Sequence, residues 1–411
     1  MEIIRSELFS GLPLLLSPLP GAPRMALAVA VPGGIARETV PGIAKLSQRL
    51  LLKGTDTRSA EALAAELDER AIELRELALT DCAVLLAIFL PRELSAVLTI
   101  VTDILLHSTF VEVAKEREKL LGELRASLDL PGEQAEDLMT RTLFPTHPYG
   151  FTGTRILSAL ATFEEPEIVR AWHQTGLVPT QMRLALVGEF DPAALIRRLD
   201  EAFAELPART DGWAATPLAP IADDQLVLES RPDAQQAQVM QGWYAPPLGD
   251  PTHAAGAVMN AIFGGGGLSS RLFRELRDKQ GLAYSVRSQF QLLKQVGKVV
   301  CAIGTSPENV VRARRGFAEQ LARLQQEPVT AEELQAAIGR LAGAFVLGRE
   351  TASQRCLEMV VNECYGVGAE YNTRLVQAIR AVSIADVQGA AQRLIPPTVT
   401  AIVTPTPAAV T

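Results

Sequence analysis

The chain has 411 residues, 48% of them apolar and 21% charged, with a formal net charge of −8. Such a length predicts two or three domains with sizeable cores, and an acidic chain without a basic, aromatic-interleaved stripe argues against nucleic acid as a partner. The four cysteines, Cys82, Cys301, Cys356 and Cys364, form no CxxC pair and no dense disulfide framework, which favours a reducing compartment and small core thiols.

The N-terminus is interrupted by Glu2, Arg5 and Glu7 and broken by prolines up to Pro20, unlike a secretory signal. The longest apolar run, Cys82 to Leu90, is strand-sized and far short of the roughly 18 residues that a membrane span needs. A cytoplasmic protein with no membrane partner is expected; the alternative is periplasmic, if a leader has been removed.

Residues 14–16 and 25–31 read as two paired strands around a Pro/Gly turn. Pro41-Gly42 opens a helix from Ile43 to Leu52, and Ser59 caps another running to Arg70. Residues 72–79 and 82–90 form a hairpin. Pro91 starts a helix to His107, and Val113 to Leu128 is a charged amphipathic helix. A strand at Arg183–Val187 and a helix at Pro192–Leu206 follow. Residues 208–224 change character to small residues, Pro, Gly and Asp, with an exposed-looking Trp213, and read as a linker. The pattern then returns: a strand at Val239–Tyr244, a helix from His253 to Ile262, strands at 282–290 and 297–303, a Pro307-initiated helix, later helices and a last strand at Val399–Val403. Hairpins mixed with helices favour α+β over repeated βα units. The recurrence suggests an internal duplication, residues 1–207 and 225–411.

The most informative stretch runs from Gly264 to Phe290. Four glycines give a backbone free of side chains, and Ser269 or Ser270 can cap the helix that follows. Leu272, Phe273 and Leu276 make its apolar face, while Arg271–Glu275 and Glu275–Lys279 are i,i+4 pairs on the wet side. Gly281 ends it, and an alternating strand begins at Leu282. Arg277 on the last turn and Tyr284 early in the strand flank the turn; on spacing alone, a solvated Arg and a half-buried Tyr also account for them.

The residues Ser269-Ser270-Arg271-Leu272-Phe273, Leu276-Arg277 and Gly281-Leu282-Ala283-Tyr284-Ser285-Val286 resemble the C-terminal half of the M16 metallopeptidases, the inverted zincins that include pitrilysin, insulin-degrading enzyme and the mitochondrial processing peptidase. The resemblance implies two similar halves, each a mixed sheet packed with helices, together forming half of a clamshell. It places Arg277 and Tyr284 at the family's R/Y pair, which helps bind peptide at the zinc site. The glycines Gly265, Gly266 and Gly267 either let a peptide backbone pass closely or only make a turn.

In that family the N-terminal half carries His-x-x-Glu-His on a helix: two imidazoles bind zinc and the Glu is the general base. Here the frame Gly42-Ile43-Ala44 and Leu50 to Thr55 is kept, but Lys45 and Arg49 stand at the two His positions and Gln48 at the base. Ammonium and guanidinium groups donate only and repel a divalent cation, and Gln48 cannot take up a proton as a carboxylate can. Glu123, or by a one-residue offset Gly122, stands at the third ligand. His107, His147, His173 and His253 show no ligand spacing. The chain is therefore expected to bind no metal and to be inactive alone. The resemblance then implies a heterodimer with a zinc-binding M16 subunit, in which this chain supplies Arg277 and Tyr284 and the partner supplies zinc, acting on a peptide substrate. The alternatives are a structural, core-protein-like subunit and a peptide-binding homologue without chemistry.

Overall fold

The computed structural model describes residues 2–209 and 212–406. They form two compact units, each with one mixed sheet and packed helices, so the fold class is α+β.

The first unit contains residues up to Glu123, Arg155–Pro217 and Gly348–Tyr371. Its strands are β1 (Ile4–Glu7), β2 (Pro13–Pro18), β3 (Met25–Pro32), β4 (Glu73–Ala78), β5 (Cys82–Phe89) and β6 (Arg183–Gly188), in the order β1-β2-β6-β3-β5-β4. Only β2 and β6 run parallel. The two N-terminal strands expected to pair do not touch: β6 lies between β2 and β3. Its run Leu184-Ala185-Leu186-Val187 is fully buried, which suits a central position better than an edge. The hairpin of β4 and β5 forms as expected. The helix Ala352–Tyr365 lies on β3 and β6, with Cys356, Met359 and Val360 fully buried against Ala26, Ala28 and Ala185. All four cysteines are buried.

The second unit contains Leu124–Thr154, Leu218–Leu347 and the chain from Asn372. Its strands are β7 (Gln225–Ser230), β8 (Ala237–Ala245), β9 (Val286–Leu292), β10 (Gly297–Thr305) and β11 (Thr398–Thr404), in the order β7-β11-β8-β10-β9, with only β7 and β11 parallel. Strand for strand this repeats β2-β6-β3-β5-β4. The helix Pro131–Leu143 packs on β8 and β11. Each unit thus takes a helical segment from the far side of the sequence, 348–371 or 124–154, which contiguous halves of 1–207 and 225–411 leave out. Pro217–Leu218, one of the several points where the chain passes from one unit to the other, lies inside the stretch read as a linker. Trp213 is half-buried rather than exposed, its backbone N–H donating to the Gln181 side chain at 3.2 Å.

Both units also repeat a short 3₁₀ turn opened by proline after the equivalent strands β5 and β10: Pro91–Glu93 before the helix Leu94–His107, and Pro307–Asn309 before the helix Val310–Gln326. Among the described residues no helix is long and apolar enough to cross a membrane.

Candidate functional site

In the first unit the helix Ile43–Leu51 starts at Gly42, whose φ of 90° is left-handed and favours glycine. Glu38 caps it: its two carboxylate oxygens accept the N–H groups of Gly42 and Ala44, both at 2.9 Å. Burial pushes the Glu38 carboxyl up to about 7, against the pull of those two N–H groups and of Lys45. Ile43, Leu46, Leu50 and Leu51 are buried and fix the helix rotation.

Lys45, Gln48 and Arg49 share the remaining face. Lys45 and Arg49 are half-buried; Gln48 is buried, and its amide oxygen has no hydrogen-bond partner among the described residues. Arg49 pairs with Glu123 on the helix Val113–Leu128 and lies 3.8 Å from Glu116 one heptad earlier. Glu123, not Gly122, is therefore the carboxylate that meets this face. Glu116 is almost fully buried and also binds Lys53 at 3.2 Å and Lys119 at 2.7 Å. Burial pushes the Glu116 carboxyl up, but Lys119 and Lys53 bring it below the ordinary carboxylate range. On β4, Glu76 is raised by burial and feels the charges of Lys53 and Arg49. Glu116 and Lys53 were not anticipated; the seven-residue spacing of Glu116 and Glu123 on one helix face was the available signal.

These residues do not fit zinc. The donor set at the position of the motif is an ammonium, an amide and a guanidinium, and the nearest carboxylate, Glu123, already pairs with the guanidinium. Nor do the histidines converge. His107 pairs with Glu205 at 3.2 Å; His147 accepts the Tyr149 N–H at 3.1 Å; buried His173 donates to the Leu105 carbonyl at 2.8 Å; His253 packs edge-on to Phe290. Burial lowers both His173 and His253 to about 4. Among the described residues no group of three His, Cys, Asp or Glu side chains is placed to hold a metal ion.

In the second unit the helix His253–Asn260 continues as a π-helical turn, Ala261–Gly265, so the first two glycines are helical rather than a loop. Gly264 is required there: a Cβ would stand 2.6 Å from the Ser288 backbone nitrogen on β9. A Cβ on Gly266 would meet the Ala261 carbonyl at 2.3 Å, and Gly267 has φ +65°. The Gly266 carbonyl accepts from Arg340 and, at 3.3 Å, from Ser269. Gly265, Gly266 and Gly267 thus make a close-packed turn. Ser270 has the extended backbone of a cap, but its hydroxyl donates back to the Gly267 carbonyl at 2.8 Å instead of capping the next helix.

That helix is π-helical over Phe273–Lys279. The Glu275–Lys279 pair forms at 2.6 Å, but Arg271 does not pair with Glu275 on the wet side. It is buried and grips Glu333 through two 2.9 Å hydrogen bonds, a geometry that a guanidinium fork makes and a helix-face pair does not. Gly281 ends the helix at φ +63°, with its N–H donating to the Arg277 carbonyl at 2.9 Å. Leu282 is pinned twice: its N–H donates to the Leu276 carbonyl at 2.8 Å, and its carbonyl accepts the Thr305 hydroxyl at 2.6 Å. Strand β9 begins only at Val286, so Tyr284 sits in the connection before the strand and is 84% exposed.

The pinned connection brings Tyr284 to Arg277. The guanidinium carbon lies 5.0 Å from the Tyr284 ring centroid and 4.4 Å from that of Phe273. Arg277 is held between two aromatic faces, each cation–π contact worth about 0.5–1 kcal/mol at such exposed sites. Stacking leaves the in-plane N–H groups of the guanidinium and the Tyr284 hydroxyl as donors near the surface.

Comparison with known proteins supports one family. Residues 15–152 match the model described as Insulinase (Peptidase family M16), and residues 165–341 match the Peptidase M16 inactive domain. An uncharacterised zinc protease of Mycobacterium tuberculosis is 29% identical over 95% of this chain and 90% of its own length. The uncharacterised zinc protease YmxG of Bacillus subtilis is 23% identical over 94% of each chain. A peptidase M16 inactive domain from Pseudomonas fluorescens shares the fold with a TM-score of 0.88 at 20% identity, covering 99% of both chains. A protease from Helicobacter pylori shares it at 0.88 and 17% identity, over 98% of this chain and 99% of its own. With family models over both halves and a common fold along nearly the whole length, the chain belongs to the M16 peptidase family.

Proposed function

We propose that this chain is the non-zinc subunit of a heterodimeric M16 zinc peptidase. The observation that carries the proposal is the contrast between the two sites. Arg277 and Tyr284 are stacked together at the surface, while Arg49, beside Lys45 and Gln48, holds an ion pair with Glu123 where the family holds a metal. In this reading the zinc and the general base belong to a partner M16 chain with an intact His-x-x-Glu-His helix.

The contribution of this chain follows from the pair's chemistry. Tyr284 donates its hydroxyl to a peptide carbonyl as negative charge develops on the oxygen. Arg277 holds the ring and donates to a substrate carbonyl from the edge of its guanidinium. A donor aimed at a developing oxyanion typically lowers a barrier by about 2.7–4 kcal/mol. Gly265 to Gly267 contribute by shaping the turn beside the helix rather than through side chains. The proposal places the pair of chains in the cytoplasm, with a periplasmic site as the alternative, and requires neither nucleic acid nor membrane.

The test is reconstitution with a zinc-motif M16 chain from the same genome. The expected result is one zinc per heterodimer, none on this chain alone, and peptidase activity only from the mixture. Full activity of the zinc-motif chain alone, or stoichiometric zinc on this chain, contradicts the proposal. Co-assembly without any gain of activity favours the structural or peptide-binding role.

A further inference from the structure

We infer that the Thr305 hydroxyl is the positioning group that turns Tyr284 out of the sheet and toward Arg277. Its effect on catalysis rests on the role proposed for that pair; its effect on the connection rests on the second unit alone.

Strands β9 and β10 pair antiparallel, from Leu292 opposite Gly297 to Val286 opposite Ile303. Carried on by two residues, that register sets Tyr284 opposite Thr305. Opposite residues of an antiparallel pair share a face, and so does every second residue of one strand. A continued β9 would therefore put Tyr284 with Val286 and Ser288, both buried, on the inner face of the sheet. Tyr284 is exposed instead, with its ring centroid 5.0 Å from the Arg277 guanidinium carbon. The alternation of the segment and the position of its tyrosine are in conflict, so a contact near the end of β10 has to hold the connection off the ladder.

Thr305 is placed to do so. It is 1% exposed, and its backbone is anchored on the other side, where it stands opposite Ala237 of β8. Its hydroxyl donates to the Leu282 carbonyl at 2.6 Å, a short O–H···O bond. Leu282 lies two residues before Tyr284, and its N–H donates to the carbonyl of Leu276, the neighbour of Arg277, at 2.8 Å. One side-chain bond thus stands where backbone pairing would otherwise continue, and it ties the connection that carries Tyr284 to the helix end that carries Arg277. The Leu282 side chain is also buried. If that burial alone held the connection, removing the hydroxyl would change nothing, which makes the two explanations separable. Valine keeps the shape of threonine without the donor; serine keeps the donor.

The test has two arms. The first is amide hydrogen exchange of the full chain alone. Thr305→Val should speed exchange of the Leu282 amide by about three- to tenfold, as for loss of one hydrogen bond, with β8 and β10 unchanged, and Thr305→Ser should keep the wild-type rate. The second is steady-state kinetics after reconstitution with a zinc-motif M16 chain, matched for assembly. Thr305→Val should lower kcat by about 10- to 100-fold with KM little changed, because the Tyr284 hydroxyl is misplaced, and Thr305→Ser should restore it. Adding Thr305→Val to Tyr284→Phe should change kcat by no more than about twofold, because the group that Thr305 positions is already gone. Thr305→Ala takes the place of Thr305→Val, with the same expectations, should the valine chain not fold. Unchanged exchange at Leu282 in Thr305→Val overturns the inference, as does a Thr305→Ser chain that behaves like Thr305→Val. Where Tyr284→Phe is slow, so does full kcat in an assembled Thr305→Val complex, or a double variant slowed by the product of the two single effects. Full kcat in Tyr284→Phe contradicts the role proposed for the pair instead, and the exchange rates then decide on Thr305.

Discussion

Arg49 and Glu123 show why this helix face does not suit a metal ion. Replacing an imidazole with a guanidinium turns an acceptor into a donor, and the carboxylate opposite becomes its ion-pair partner. The sequence reading identified Lys45, Gln48, Arg49 and the Glu123-or-Gly122 alternative, because the helical frame around them is kept. It did not identify Glu116, whose weight comes from burial and three convergent cations, which only the packed helices reveal. The two carboxylates should therefore differ in effect. Glu123 has a side chain 60% exposed, so Glu123→Gln should cost less than about 1 kcal/mol. Glu116→Gln removes the shared partner of Arg49, Lys53 and Lys119 from a side chain 4% exposed, and should cost about 2 kcal/mol after discounting for its half-exposed partners. Urea unfolding of the two variants checks the order; equal losses contradict it.

At the level of elements, the long helices, the β4–β5 hairpin and the strands β9 and β10 were legible from period and turn residues, whereas β1 and β7 were not. Both are edge strands and largely exposed: Ile4-Arg5-Ser6-Glu7 has one apolar residue, and Leu226-Val227-Leu228 is a short apolar run next to the Pro- and Asp-rich stretch before it. The π-helical turns were also invisible, because an α-helical apolar face and a π-helical one use the same residue types. Tertiary contact decides between them, as where Leu276 fills the space at Gly316, whose Cβ would stand 2.2 Å away. Tyr284 was read as strand because its segment alternates. Leu282 is held by the Leu276 carbonyl and by the Thr305 side chain at the end of β10, and backbone pairing with β10 begins only at Val286.

The cap of the helix Ile43–Leu51 yields a pH prediction. Glu38 has its pKa raised from 4.5 to about 7, so between these values the folded chain holds a proton that the unfolded chain has lost. Its contribution is therefore present at low pH and lost as pH rises from about 4.5 to about 7, by up to about 3 kcal/mol. His173, lowered from 6.5 to about 4 by burial, has the opposite sign: the unfolded chain takes up a proton that the folded chain refuses, and stability falls on acidification below 6.5. Removing Glu38's titration leaves the His173 loss unopposed. Glu38→Gln should accordingly be more destabilised relative to wild type at pH 5 than at pH 8, by denaturant unfolding at both. A pH-independent difference contradicts this account.

At the scale of the whole molecule, the duplication is visible as one five-strand order used twice, with the parallel pair in the same place each time. The two units differ at these places: the first sets Arg49 against Glu123, and the second stacks Arg277 against Tyr284 near its surface. The proposed role as a non-zinc subunit rests on that difference, and Tyr284 is where the proposal can be measured. Tyr284→Phe removes one hydroxyl and preserves the ring that stacks on Arg277. Steady-state kinetics should be compared for wild-type and Tyr284→Phe chains, each reconstituted with the zinc-motif chain and matched for assembly and zinc content. The account predicts a kcat lowered by about 10²–10³ with KM little changed, as for loss of a donor used only in the transition state. An assembled Tyr284→Phe complex with full kcat would contradict it.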